Sequence, residues 1–503
     1  MSLKCHICGK TIHSKFSYCN DCFENIKKRN QEVFRTIVDE WKLEAKEEDT
    51  KYFYYVEETK DILAGKKNLV IGRKGEGKTA IAQYIYQINK HDTFTEKLSF
   101  KDFPFNVLYR LSDEQYTKPN QYISIWKYLI YTTICKKMIS NEAIDGDVVT
   151  NLKKIFPPED NKKQLSKLVE KYTVKDFGVQ ILGSGINIGG EKEKSDVNWI
   201  EIIDILENTI LENLDSSNYY ILFDELDEDY KNFKTDKERE DYFDLVTGLF
   251  KAVHDVKTLF KSCELNVYPV VFLRTDIYDL ITYSDKNKWS DSIINLIWTP
   301  EKIKRLLTYR LQIVFSDSTL SFDDCWNKLF SKKPLRTGAN KKKQISSFEY
   351  MLRSTQNRPR DFIKYFQECA KQVLANDKVM VNQTIIRLAD GDFSEYMRNE
   401  IIDEIYAVLP EYDEIFAILS LIRKQTFDPQ EFVDKYDDMV KDKEIANRGA
   451  EKVLKILFEY SVIGNAPSIK NQSIYKYERN NARFNFREKI IIHRGLFKAL
   501  QIF

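Results

Sequence analysis

The stretch LVIGRKGEGKTAIAQYIY, residues 69 to 86, limits the fold of this chain more than any other. LVIG is a short apolar run of the kind a buried parallel strand uses, and KTAIAQYIY has the apolar spacing of a helix. Between them stands the turn Gly72, Arg73, Lys74, Gly75, Glu76, Gly77, whose glycines let a backbone reverse sharply and point N–H groups at an anion. Strand, glycine-rich loop and helix in the order GxxxxGKT predict a phosphate-binding loop. Residues Gly72 to Gly77 with Lys78, Thr79 and Ala80 would cradle a nucleotide. Lys78 would reach the outer phosphates, and the Thr79 hydroxyl would ligate Mg2+.

Such a loop needs a carboxylate at a neighbouring strand end. NYYILFDELDEDY supplies it: residues 219 to 223 are apolar or aromatic and end in Asp224 and Glu225. Asp224 would complete the Mg2+ shell and Glu225 would orient or deprotonate an attacking water, while Asp227, Glu228 and Asp229 read as an ordinary acidic turn. A third buried run, VYPVVFLRTD, is expected between these two strands, with Arg274 at its tip as a sensor of the terminal phosphate. NLIWTP, 295 to 300, reads as one more strand, followed by a helix. Asn89, Lys90, His91 and Asp92 spell a guanine-reading motif. They close the helix leaving the loop instead of ending a late strand, so ATP is expected in preference to GTP.

At 503 residues the chain has room for about three domains. Lys+Arg number 78 and Asp+Glu 77, so no global field selects nucleic acid or an anionic membrane. Contact with either must come from local basic runs, and three stand out: residues 1 to 29, 331 to 344 and 470 to 503. No apolar run has the ~18 residues of a membrane span and MSLKCHICGK lacks the apolar stretch of a signal peptide, which predicts a cytoplasmic protein without membrane contact.

Cys5, Cys8, Cys19 and Cys22 form CHIC and CNDC, paired knuckles at a spacing that predicts a structural Zn2+ site with four thiolate ligands. His6 and His13 are alternative ligands. Cys135, Cys263, Cys325 and Cys369 read as core residues. VQILGSGINIGGE, 179 to 191, reads as a glycine-rich hairpin inside an insert. In NRPRDFIKYF, Pro359 suits a first helical position, and Arg358 or Arg360 could act as a second phosphate sensor. Helical patterns at 399 to 424, 429 to 440 and 446 to 460 precede short strands around SIYKYER and ARFNFREKIIIH. That order suggests a winged helix, with Lys452 and Lys455 on its third helix and Arg479, Arg483 and Arg487 on its wing.

Taken in order, KYFYYVEETKDILAGKKNLVIGRKGEGKTA, ILFDELDE, VVFLRTDIYDL, INLIWTPEKIKRLLTYRL, NRPRDFIKYF and FEYSVIG with KIIIHRGLFKAL resemble a prokaryotic P-loop ATPase family of the origin-recognition-like and STAND-like AAA+ group. The resemblance implies an α/β fold: a P-loop NTPase core of the ASCE type with a parallel sheet, a helical lid and a C-terminal winged helix. The zinc ribbon lies outside it. The resulting organisation is a zinc ribbon at 1–29, a helical linker at 30–60, an ATPase core at 61–315 with an insert at 141–196, a lid at 316–395 and a winged-helix-like domain at 396–503. The function expected is an ATP-hydrolysing switch that recognises DNA or a protein–nucleic-acid complex through its end modules. Such families are often encoded in loci for phage defence or DNA maintenance. A protein effector and further copies of the chain are the other expected partners. The alternative is a scaffold that binds ATP with negligible turnover and works through protein contacts.

Overall fold

The computed structural model describes residues 3–5, 7–8, 10–12, 19–88, 90–100, 108–109, 120–157, 199–227, 230, 235–282, 286–338, 342–468 and 472–502. The sequence-based hairpin at 179–191 and the alternative ligands His6 and His13 lie outside them. The chain forms two compact units, Met1–Tyr54 with Trp298–Phe503, and Tyr55–Ile297.

The first unit begins with a minimal antiparallel ribbon, β1 (Leu3–Lys4) against β2 (Thr11–Ile12), followed by the long helix α1 (Asn20–Glu40). Val33, Phe34 and Ile37 recur at helical spacing and are buried, as is Trp41 just past the helix end. Asn30, buried beside them, donates through Nδ2 to the carbonyls of Lys328 (2.8 Å) and Val379 (2.9 Å). One helix thus runs through the ribbon-to-linker boundary expected at 29/30 and anchors both sides of it.

The second unit holds α2 (Glu58–Leu63), β3 (Leu69–Gly72), α3 (Lys78–Tyr86), β4 (Thr93–Ser99), α4 (Ile123–Met138), α5 (Gly146–Ile155), α6 (Trp199–Asn213), β5 (Asn218–Asp224), α7 (Asp236–Ser262), β6 (Val267–Arg274), α8 (Thr275–Leu280) and β7 (Ile293–Asn295). Its five strands form one parallel sheet in the order β4-β5-β6-β3-β7. The central strands are buried on both faces, which is why β3, β5 and β6 read as continuous apolar runs. β6 lies between β3 and β5, as expected. The sequence reading missed β4, TFTEKLS, because this edge strand buries only Leu98 and shows no apolar run. β7 starts two residues before the expected NLIWTP, and Leu296 donates its N–H to Ile71 O (2.8 Å) only as the strand ends. α4 is buried nearly all round, and its Trp126 indole donates to Leu245 O at 2.9 Å. Cys135 is a core residue as expected, whereas Cys263 is exposed at the end of α7.

The first unit resumes with α9 (Pro300–Phe315), α10 (Phe322–Leu329), the hairpin β8 (Leu335–Thr337) and β9 (Lys343–Ile345), α11 (Ser347–Leu352), α12 (Pro359–Ala375) and α13 (Gln383–Ile405). Thr299 and Pro300 start α9, Ser321 closes a capping box on α10, and the Asn382 side chain caps α13. α9, expected as part of the ATPase core, groups here with the helices after it. α13 runs through the expected lid boundary at 395/396.

Then come α14 (Tyr412–Ile422), β10 (Thr426–Phe427), α15 (Pro429–Lys441), α16 (Ala450–Glu459), β11 (Ile463–Ala466) and β12 (Lys489–Ile492). The strands pair antiparallel in the order β10-β12-β11. The helical pattern at 399–424 is therefore two helices with Pro410 in the break. SIYKYER contributes a single bridge, Ile474 to Asn465, and of ARFNFREKIIIH the KIII portion forms a strand, β12.

Buried polar groups fasten this unit. Arg358, the residue before α12, is 2% exposed and pairs through its guanidinium with Glu404 on α13 and with the side-chain oxygen Oε1 of Gln356. Gln356 in turn donates to Tyr460 O at 3.2 Å, beyond α16. Removing one partner of a buried pair strands the other charge. Arg358→Met is expected to destabilise this unit by about 3–5 kcal/mol, and Arg358→Met with Glu404→Leu to recover part of that loss, because Asp361, 1% exposed and 3.9 Å from Arg358 Nε, stays without its cation. Urea unfolding of the two variants checks this; equal stability of the single and double variants would contradict it.

Candidate functional site

The phosphate-binding loop takes the form the glycines require. Gly75 and Gly77 have φ of 80° and 95°, and a Cβ at Gly77 would meet nothing within 4 Å, so conformation and not crowding demands glycine there. Glu76 is 4% exposed and folds back across the turn. Its Oε2 accepts from the Arg73 backbone N–H (2.6 Å) and its Oε1 from Arg73 Nε (2.9 Å), so one buried carboxylate clamps the loop. Lys78, the first residue of α3, donates through Nζ to Gly72 O (2.8 Å) and Arg73 O (3.0 Å). Burial holds its ammonium below the usual lysine range, against the pull of the Asp227 carboxylate.

Parallel register places the other groups at the same end of the sheet. Asp224 ends β5, Ser99 pairs beside it at the end of β4, and Arg274 ends β6 opposite Gly72. Thr79 Oγ1 donates to Asp224 Oδ1 at 3.3 Å, while Asp224 Oδ2 is buried without a hydrogen-bond partner. Burial, reinforced by the charge of Glu225, pushes the Asp224 carboxyl up to about 6. A hydroxyl and a buried carboxylate oxygen lacking a donor fit a hard cation such as Mg2+. Glu225 sits at φ 62°, a left-handed conformation uncommon outside glycine, and accepts a hydrogen bond from the Ser99 hydroxyl.

Arg274 is 3% exposed and gives Nε and Nη2 to the two Asp276 oxygens, at 3.0 and 2.6 Å, and Nη1 to Asp227 Oδ2 at 3.3 Å. Burial raises the Asp227 carboxyl, but Arg274 and Lys78 outweigh it and leave the group below the usual carboxylate range. The sequence reading placed Lys78, Thr79, Asp224, Glu225 and Arg274 in one region, and they are together. It missed Ser99, which lies on the unread edge strand, and Asp227, which looked like any turn acid. The second-sensor candidates belong to the other unit, where Arg358 is internally paired and Arg360 faces Glu44 (3.1 Å) and Glu400 (3.6 Å).

The four N-terminal cysteines form a second cluster. Cys19 immediately precedes α1 and Cys22 lies in its first turn, and the Cys5 N–H donates to Lys10 O (2.8 Å) in the knuckle turn after β1. All four sulfurs lie within 4.8 Å of one another, with Cys8 and Cys19 Sγ at 3.6 Å. A tetrahedral Zn2+ with Zn–S bonds of about 2.3 Å sets its sulfurs roughly 3.8 Å apart. Hydrogen bonds from the backbone at Cys8 and Cys19 bring the Cys5 thiol down to about 6. Cys22, hydrogen-bonded to Cys19 and Cys8, is pushed up to about 12. Deprotonating all four sulfurs in so small a volume would need a cation to offset the charge, and the donor set fits zinc.

A family model described as FunZ-associated C-terminal helical domain matches residues 301–402, from α9 into α13. No curated protein matches the chain. Among solved structures, the chain is similar to the ORC2 protein of Aeropyrum pernix in ADPNP–ADP complexes, at 10% identity over 88% of each chain and a TM-score of 0.38. Drosophila ORC bound to DNA is 10% identical over 98% of this chain and 96% of that one, with a TM-score of 0.31. Cdc6p of Pyrobaculum aerophilum is 11% identical over 90% and 96%, with a TM-score of 0.28. Superpositions this loose assign neither a site nor an activity. Among the described residues, no helix is long and apolar enough to cross a membrane.

Purified without chelator, the chain is expected to carry about one zinc per molecule, and Cys8→Ser with Cys22→Ser to carry almost none. Elemental analysis of both proteins checks this; equal zinc in the two would contradict the assignment.

Proposed function

We propose that the chain binds ATP with Mg2+ at the GRKGEGKT loop and hydrolyses it, as a switch of the P-loop ATPase type. The observation that carries this reading is the meeting of Thr79 with Asp224, whose second oxygen is buried and unpartnered, beside a Glu225 fixed by Ser99. The loop's backbone N–H groups and the Lys78 ammonium bind the phosphates, and Thr79 and Asp224 hold the metal. Bound there, Mg2+ would supply the positive charge that offsets the charge building on the terminal phosphoryl oxygens. Glu225 orients the attacking water and takes its proton. Ser99 holds one Glu225 oxygen and so fixes the carboxylate for that task. Arg274 reports the terminal phosphate by exchanging its longer contact, to Asp227, for a phosphate oxygen.

The recognition end of the switch is read from the C-terminal module. Its order α14, β10, α15, α16, β11, β12 supports a winged helix, with Lys452 and Lys455 exposed on α16 and Arg479, Arg483 and Arg487 exposed between β11 and β12. These cations suit the phosphates of duplex DNA. The cysteine cluster, read as a zinc ribbon, is the second recognition module. A role in DNA maintenance or phage defence rests on the sequence resemblance alone.

ATP turnover with and without double-stranded DNA tests the reading. Glu225→Gln is expected to lower kcat about 10²-fold or more while ATP binding persists, and Lys78→Ala to lose both. Turnover indifferent to Glu225→Gln in both conditions would leave a scaffold that binds nucleotide as the better account. Separately, Lys452→Glu with Lys455→Glu is expected to weaken DNA binding and flatten its salt dependence in a fluorescence anisotropy titration; an unchanged slope would remove α16 from the DNA interface.

A further inference from the structure

Two of the three basic runs that stand out in the sequence, 331–344 and 470–503, converge on one cavity of about 520 Å³ inside the first unit. That volume suits a small organic ligand, for which pockets run from roughly 300 to 1,000 Å³. β8 brings Arg336 to the wall, α13 brings Arg387, and the turn after β12 brings Arg494 and Lys498. One carboxylate, Asp390, lines the same space, but both its oxygens are engaged: Tyr350 OH donates to Oδ2 at 2.6 Å and Tyr365 OH to Oδ1. The cations therefore outnumber a carboxylate that is already held in place.

Arg494 is the innermost of them. Its guanidinium carbon lies 4.2 Å from the centre of the Tyr350 ring, and its Nε is buried without a hydrogen-bond partner. Gly495 makes that position reachable, because a Cβ there would come within 2.3 Å of the Ser354 carbonyl oxygen. Only glycine lets the turn after β12 press against the end of α11 and seat Arg494 on Tyr350. Arg387 is steadied by donating to Arg336 O at 3.2 Å. The half-buried Phe497 adds an apolar, ring-sized wall, next to Phe393, which is 1% exposed and stacked on Tyr365. A bare inorganic anion would leave that wall uncovered, and an apolar molecule would leave the cations unanswered.

We propose that this cavity is a second phosphate-recognition site, separate from the GRKGEGKT loop, that takes a nucleoside monophosphate unit. The arginines bind the phosphate through charge-assisted hydrogen bonds and Phe497 flanks the base. The same chemistry is offered by a free nucleotide and by the 5′ end of a nucleic-acid strand. Because α13 forms one wall and the turn after β12 another, the ligand bridges the helical segment and the C-terminal module.

The test uses the full-length chain carrying Lys78→Ala, which cripples the phosphate loop, titrated by calorimetry with AMP and with a 5′-phosphorylated oligothymidylate. At least one probe is expected to bind. Arg387→Glu with Lys498→Glu, both at exposed positions, is expected to weaken that binding about tenfold or more, and Arg494→Ala to do the same. Tighter binding of AMP identifies a free nucleotide as the ligand, and tighter binding of the oligonucleotide identifies a strand end. Failure of both probes to bind, or binding unchanged by the Arg387→Glu and Lys498→Glu pair, overturns the proposal. Either result leaves the ATP reading untouched, since the phosphate loop is already disabled.

Discussion

The mutual neutralisation of a small group of charges at one end of a parallel sheet is the constraint on which the site depends. Asp224 and Arg274 are buried, and Lys78 and Asp227 lie half-buried among them. Each alone would be costly to withdraw from water, and together they compensate. The compensation is incomplete at Asp224, which keeps a raised carboxyl and an oxygen without a donor. That local shortfall of positive charge is what a divalent cation would correct. The sheet supplies the convergence: in a parallel arrangement all strands end on the same side, so the loop after β3 and the tips of β4, β5 and β6 must meet.

Much of this was legible because buried parallel strands carry their signature in composition. LVIG, YYILFD and VVFLR are apolar on both faces; the first runs straight into the glycine-rich loop, and the other two end in Asp224 and Arg274. The edge strand TFTEKLS was illegible for the complementary reason: one buried side chain leaves no periodicity to read, and Ser99 was lost with it. Asp227 belongs to an acidic run, and nothing in the sequence marks it as facing Arg274. Arg358 misled in the opposite direction, since an arginine before a helix-starting proline looks exposed, whereas Glu404 on the next helix draws it inside. In the C-terminal module β12 falls inside the expected ARFNFREKIIIH, whereas β10 and β11 escaped, because pairing distant in sequence, such as β10 with β12, sets their ends.

The first unit shows how segments far apart in sequence share one core. The cysteine cluster is fixed to the start of α1, and the far half of that helix is bolted by Asn30 and by Val33, Phe34 and Ile37 into the helices after Trp298. The Arg358 network then joins α12 and α13 to the segment leading into β11. An event at the sulfur cluster or in the basic cavity therefore acts on a body already tied together by buried polar contacts. Such contacts have discrete alternatives and suit a two-state element better than loose apolar packing does.

The most direct test of the central claim is to follow Mn2+, substituted for Mg2+, by electron paramagnetic resonance as ATP is added to the chain and to Asp224→Asn. The account predicts tight, ATP-dependent Mn2+ binding with phosphorus hyperfine coupling in the unaltered chain, and its loss in Asp224→Asn. An ATP-dependent Mn2+ signal of equal strength in both proteins would contradict it, because the metal would then owe nothing to the buried oxygen of Asp224.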